Sequence, residues 1–290
     1  PSLKHVLLKN YTSQLLTQIG FFPRSTDGDK GSKFYISSAD MSKPECPSGT
    51  MAAVETEPSA FYGSQSSSSV WEPDLGTGRP PRYTGAVVVV QNGGSRIGAG
   101  WYIDPDMYAD NHAHFEIAWT DNDKSCTNLR CAGFVQLSTR IVPGAVLKPV
   151  SMINGKQYLM MVSIFKVWDT WVLLFGEELV GYWPGKLFTN LSGPANMIGW
   201  MGVASAASGE AYPPMGSGRS PDEGEGRAAF FTDVKVIDAP TSKYVSPYLS
   251  EIFTRTTNPK CYQVGTPSTS DMGLDFYFGG AGCSPSQFIK

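Results

Sequence analysis

The stretch from Gly98 to Thr120, GAGWYIDPDMYADNHAHFEIAWT, decides the fold. It reads as a strand, an aspartate-rich turn and a returning strand, an antiparallel ribbon that carries Trp101 and Trp119. The return strand holds His112, His114 and Glu116 at alternate positions, and strand side chains alternate faces, so the three are expected on one face. Two imidazoles and a carboxylate are a candidate zinc or iron set. A three-residue pattern alone does not specify a metal, however, and neither metal nor cofactor is expected. The stronger role for Glu116 is general acid/base, aided by His112 or His114, with Phe115, Ile117 and Trp119 raising its pKa by desolvation. Asp104, Asp106 and Asp110 lack the spacing and late glutamate of a calcium loop and read as turn caps.

Outward from the ribbon the chain remains β-rich. Thr84 to Gln91 is β-branched and reads as a buried strand. Strands are also expected over Phe134–Ile141, Tyr158–Val167, Met197–Ala204 and Ala228–Ile237, with a hairpin from Trp171–Phe175 to Glu178–Tyr182. Ser64 to Ser69 has a linker composition, but Phe61-Tyr62 before it and Val70-Trp71 after it argue for a strand. Residues 207–227 form a long Gly/Pro/acidic loop. Residues 1–20 are loosely helix-spaced through Leu3, Val6, Leu7, Tyr11, Leu15 and Ile19. With 31 Gly, 21 Pro and only 17% charged residues, the composition fits an all-β chain, a sandwich or barrel with long loops.

Net charge is −3 with no basic stripe, which argues against nucleic acid as a partner. Apolar runs are far shorter than the ~20 residues of a membrane helix. Five cysteines, Cys46, Cys126, Cys131, Cys261 and Cys283, include no CxxC. Near neighbours pair as Cys126–Cys131 and Cys261–Cys283, leaving Cys46 odd. Sequons at Asn10 and Asn190 agree with a secreted chain. The sequence begins at Pro1 without a signal peptide, as a processed or trimmed form would. The glycines at 93, 94, 98 and 100 precede a strand rather than a helix, so they are no phosphate cradle. No nucleophile elbow is present.

A set of motifs follows in order along the chain: Gly100-Trp101, Trp119-Thr120, Cys126 to Cys131 with Gly133-Phe134-Val135, and Gly181-Tyr182-Trp183-Pro184. Leu187-Phe188, Met215-Gly216-Ser217-Gly218, and Cys261-Tyr262 with Phe278-Gly279-Gly280 complete it. Together they resemble the neprosin family, secreted proteins common in plants and named after a prolyl endopeptidase. The resemblance implies an antiparallel β-sandwich of two packed sheets over residues 50–290. Residues 1–49, with His5 to Asn10 and Cys46 to Thr50, resemble the end of the family's pro-segment. The shortened linker after Cys46 implies that this segment stays attached.

The family's peptidases use two glutamates, one activating water and one as acid or oxyanion stabiliser, which requires two carboxyls at different pKa values. The first belongs just before Ala99-Gly100-Trp101, where Gly98 stands. The second belongs after Trp200-Met201-Gly202, where Val203 stands. Glu116 and Ala118 occupy positions usually aromatic in the family. The resemblance implies a cleft lined by Gly98, Trp101, Ala118, Trp200 and Val203.

Three readings follow. In the first, the cleft is repurposed to transform a small molecule with Glu116 as acid/base. In the second, a pseudoenzyme binds a peptide, glycan or wall component through exposed tryptophans. In the third, residual peptidase activity survives. A monomer is expected, with a small-molecule or peptide ligand, no nucleic acid and no membrane, located in secreted, extracellular or vacuolar space.

Overall fold

The computed structural model describes residues 49–240 and 243–284. The helix-spaced start, the pro-segment-like region to residue 48, Asn10 and Cys46 lie outside the described residues. Within them the strands, in chain order, are β1 (Thr50–Thr56), β2 (Gly63–Ser69), β3 (Tyr83–Asn92), β4 (Ser95–Ile103), β5 (His114–Asp121), β6 (Lys124–Thr127), β7 (Val135–Gln136) and β8 (Leu159–Val167). They continue as β9 (Thr170–Phe175), β10 (Glu178–Pro184), β11 (Met197–Ser205), β12 (Ala229–Ile237), β13 (Ile252–Thr256), β14 (Gln263–Val264), β15 (Ser268–Thr269) and β16 (Leu274–Gly279).

One sheet runs β13-β1-β11-β3-β4-β5-β6, the other β14-β16-β12-β2-β8-β9-β10-β7 with β15 on β16, and the pairings along both are antiparallel. The all-β class and two-sheet sandwich read from the sequence hold. Side chains from the two inner faces form one large core that includes Trp101, Trp171, Trp183 and Trp200. Each of these tryptophans is fully buried.

Burying an indole leaves an N–H that needs an acceptor. The serine run of β2 supplies it for Trp101 and Trp200, while Trp171 Nε1 donates to the Leu191 carbonyl at 2.7 Å. Trp200 Nε1 donates to Ser64 Oγ at 3.0 Å, and Trp101 Nε1 donates to the Ser69 carbonyl at 3.0 Å. Ser69 Oγ accepts from Trp71 Nε1 at 2.9 Å and from the Phe230 backbone N at 2.9 Å. The segment with a linker's composition is therefore a central strand, its small hydroxyls facing indoles across the sandwich.

The strand expected over Phe134–Ile141 shortens to β7, Val135–Gln136. Ser138 turns the chain: its Oγ accepts from the backbone N–H of Arg140 and Ile141, both at 3.0 Å. Both nearest-neighbour cysteine pairs form, with Cα separations of 6.0 Å for Cys126–Cys131 and 5.2 Å for Cys261–Cys283. Among the described residues no helix is long and apolar enough to cross a membrane.

Candidate functional site

The outer face of the β1-β11-β3-β4-β5 sheet carries a groove. Cross-strand register sets its rows: Glu116 pairs with Gly100, Gly100 with Val87, and Val87 with Met201. Ala118 pairs with Gly98, and Tyr102 with His114. Small residues at 98, 100 and 118 leave the face hollow. The result is a cavity of about 320 Å³ lined by Gly98, Tyr102, Glu116, Ala118, Met201 and Val203, with Met51, Val87, Val89 and Arg96 around them. Both positions where the family resemblance calls for glutamates, Gly98 and Val203, thus open on one cavity.

Trp101 and Trp200 do not line it. They sit one residue from Gly100 and Met201, so strand alternation turns them into the core. The same alternation sends Phe115, Ile117 and Trp119 inward, away from the carboxyl they flank in sequence. Ile117 and Trp119 nevertheless border the cavity beside it.

Tyr108 reaches the Glu116 carboxyl from outside the strand. After β4 the chain makes a short helix, α1 (Pro105–Tyr108), capped by Asp104, whose side chain accepts from the backbone N of Asp106 and Met107. Proline at the first position and Ala109 in the left-handed region at φ 60° bound the turn. This turn swings Tyr108 back over β5. Its hydroxyl donates to Glu116 Oε2 at 3.0 Å and accepts from Asn128 Nδ2 at 2.7 Å. Asn128 is fixed in turn by the Ile117 backbone N, which donates to its Oδ1 at 3.1 Å.

Glu116 is only 8% exposed. Burial raises its carboxyl pKa to about 7, with the Tyr108 hydrogen bond opposing the rise and the Asp104 charge adding to it. Burial, then the Glu116 charge, pushes the Tyr108 phenol upward. Tyr102 is likewise raised, first by burial and then by Glu116. Glu116 is thus the groove's carboxyl that changes charge near neutrality, and both phenols remain donors there.

The histidines take different places. His114 starts β5 on the face of Glu116, yet its ring is buried beneath Tyr108, stacked at 3.8 Å between centroids with 1° between planes. Its Nδ1 lies 2.7 Å from the Gly144 carbonyl and its Nε2 2.9 Å from Asp110 Oδ1. Both nitrogens are engaged away from the cavity, so His114 holds Tyr108 in position. Asp110, held below the ordinary carboxylate range by the His112 backbone N–H and then by His114, completes the clamp.

His112 precedes the strand rather than lying on it. Its side chain is 42% exposed and meets Glu72 Oε1 at 3.2 Å. The expected one-face trio therefore does not form. Among the described residues no three His, Cys, Asp or Glu side chains cluster to hold a metal ion. Tyr108 is the residue that strand patterning missed; the Asp-Pro signal at Asp104-Pro105 was the available clue to a helical turn in the ribbon.

A second cavity of about 380 Å³ continues the groove past Met51, Val89, Arg96 and Met201 toward Glu55, Met197 and Arg255. Glu55 is buried on the same outer face and lies 3.8 Å from Arg255 Nη1.

The class is thus an antiparallel β-sandwich with a carboxyl-bearing groove on the outer face of one sheet. Residues 80–281 match the Neprosin family model, and the chain belongs to that family. Among solved structures it is similar to scytalido-glutamic peptidase with a transition state analog inhibitor, at 13% identity, 80% of this chain, 98% of that chain and a TM-score of 0.45. It is also similar to SCP-B, a member of the Eqolisin family of peptidases in complex with the tripeptide Ala-Ile-His, at 12% identity, coverage of 80% and 98%, and a TM-score of 0.41.

Proposed function

We propose that this Neprosin family member performs proton-transfer chemistry on a small molecule in the groove, with Glu116 as the acid/base. The observation that carries the reading is a carboxyl inside an apolar cavity with a pKa of about 7. A base that ionises near the working pH combines the correct protonation state with useful driving force. Tyr108 orients the carboxyl and stabilises its charge, while His114 and Asp110 hold Tyr108.

Glutamic peptidase chemistry is not part of this proposal. Neither glycine at 98 nor valine at 203 can activate water or protonate a leaving group, and one carboxyl alone does not supply the acid and base pair. A pure binding role would want exposed aromatic anchors, yet Trp101 and Trp200 fill the core. The two disulfides and the exposed Asn190 sequon support a secreted glycoprotein. We further take the protein to act as a monomer without cofactor, nucleic acid or membrane.

A substrate-independent probe tests the role. In 5-nitrobenzisoxazole a base removes the ring C–H proton, the N–O bond breaks and a cyanophenolate is released. The wild-type protein should accelerate this reaction, and Glu116→Gln should lower the rate about 100-fold or more at pH 8. Equal rates in the two proteins would remove Glu116 from the role. A proline-containing peptide incubated at acidic pH should remain intact.

A further inference from the structure

We propose that the groove takes an apolar ligand bearing one oxyanion, a carboxylate or sulfonate, which seats on the guanidinium of Arg96. The proposal rests on the reading of the groove as the ligand site and adds the class of molecule that fills it.

Arg96 belongs to the wall shared by the two cavities, together with Met51, Val89 and Met201. It projects from β4 on the outer face, two residues from Gly98. Its Nε donates to Gln91 Oε1 at 3.0 Å, which fixes the plane of the guanidinium. Arg79, Arg140, Arg219, Arg227 and Arg255 each pair with a glutamate. Arg96 has no acidic side chain within ion-pair distance among the described residues. Its two terminal nitrogens form the planar fork that carboxylates and sulfonates match in bidentate fashion.

The floor beside this fork is apolar. Val87, Val89 and Met201 form a cluster on the outer face, with Met51, Tyr102 and Val203 packed against it. Methionines adapt to an irregular apolar body better than branched side chains do. Register also sets the ligand's length. Glu116 pairs with Gly100, four residues along β4 from Arg96. That step is about 13 Å of strand. A molecule whose anion rests on Arg96 and whose reacting atom reaches Glu116 is therefore elongated, with an apolar middle lying over Val87 and Val89.

The test uses two fluorescent probes with the same aromatic body. One is 8-anilinonaphthalene-1-sulfonate; the other is N-phenyl-1-naphthylamine, which lacks the sulfonate. Both should bind the wild-type chain, and decanoate should displace the anionic probe where decanol does so weakly. Arg96→Met should weaken the anionic probe about tenfold, the loss of a charge-assisted pair, with the neutral probe changed less than threefold. Arg96→Lys, which keeps the charge but not the planar fork, should weaken the anionic probe less than Arg96→Met does, yet measurably. Ala118→Trp, which fills the cavity, should reduce both probes.

Equal losses of the two probes in Arg96→Met, or no loss of the anionic probe, would overturn the assignment. So would undiminished binding to Ala118→Trp. The proton-transfer reading is tested by turnover of 5-nitrobenzisoxazole and this assignment by probe binding to Arg96→Met, so a failure of either leaves the other to its own test.

Discussion

The Tyr108 hydroxyl lies 3.0 Å from Glu116 Oε2 and donates to it. The contact joins two opposed effects. Burial favours the neutral acid, whereas the phenol favours the carboxylate. Burial prevails, and the carboxyl ionises near pH 7 rather than at its ordinary value of 4.5.

The same balance sets how stability depends on pH. The folded carboxyl holds its proton above the pH at which the unfolded one releases it. The native state therefore binds more protons between pH 4.5 and about 7, and stability falls as pH rises through that window. Below the window the penalty is absent; above it the penalty is complete, at about 3 kcal/mol. Glu116→Gln should remove this dependence and be the more stable protein at pH 8 by about 1–3 kcal/mol, read from urea midpoints at pH 4 and pH 8. Parallel pH profiles for the two proteins would contradict the burial of an ionising carboxyl.

Tyr108→Phe isolates the hydrogen bond. It leaves the ring stacked on His114 but removes the donor to Glu116 and the acceptor for Asn128. The ionisation midpoint of Glu116 should rise by about 1 pH unit, since a hydrogen bond to a charged group contributes about 1.5–3 kcal/mol. Carbon NMR of the labelled glutamate carboxyl reads this directly, and an unchanged midpoint would mean the contact carries no energy.

The two histidines should separate cleanly. His112 is half-exposed and outside the cavity, so His112→Ala should change proton-transfer rates less than twofold and stability by about 0.5 kcal/mol or less. His114 is buried and bonded at both nitrogens. His114→Ala should cost about 2 kcal/mol by leaving Asp110 and the Gly144 carbonyl without their partner. It should also move the midpoint of Glu116 through a loosened Tyr108. The reverse ranking would restore His112 to the site.

Two glycines of β4 test the shape of the groove. A Cβ added at Gly98 meets Val87 Cγ2 at 3.4 Å, ordinary contact at the cavity wall. One added at Gly100 comes within 2.1 Å of the Ala86 carbonyl oxygen. Gly98→Ala should therefore cost little, about 0.5 kcal/mol, whereas Gly100→Ala should cost about 2 kcal/mol or more. Thermal melts of the two variants make the comparison.

Much of the sandwich was legible because its central strands are strongly patterned. Val87 to Val90 and Leu159 to Val167 identify themselves by β-branched and apolar runs, and the serine strand by the aromatic residues that bracket it. Strand β1 was not legible, since Thr50 to Thr56 is mostly small residues whose burial comes from neighbours β11 and β13. At the site, Glu116 and the hollow at Gly98 and Ala118 follow from alternation within one ribbon. Tyr108 does not, because a capped helical turn, not a strand period, brings it over the carboxyl. The histidine trio failed for the same reason: the turn extends past His112, and strand geometry begins only at His114.

The most direct measurement is the pH–rate profile for elimination of 5-nitrobenzisoxazole by the wild-type protein beside Glu116→Gln. The wild-type rate should rise with pH to a plateau with a midpoint near 7, as Glu116 becomes the carboxylate, and the variant should give a flat, low line. A midpoint near 4.5, or a profile shared by both proteins, would contradict this.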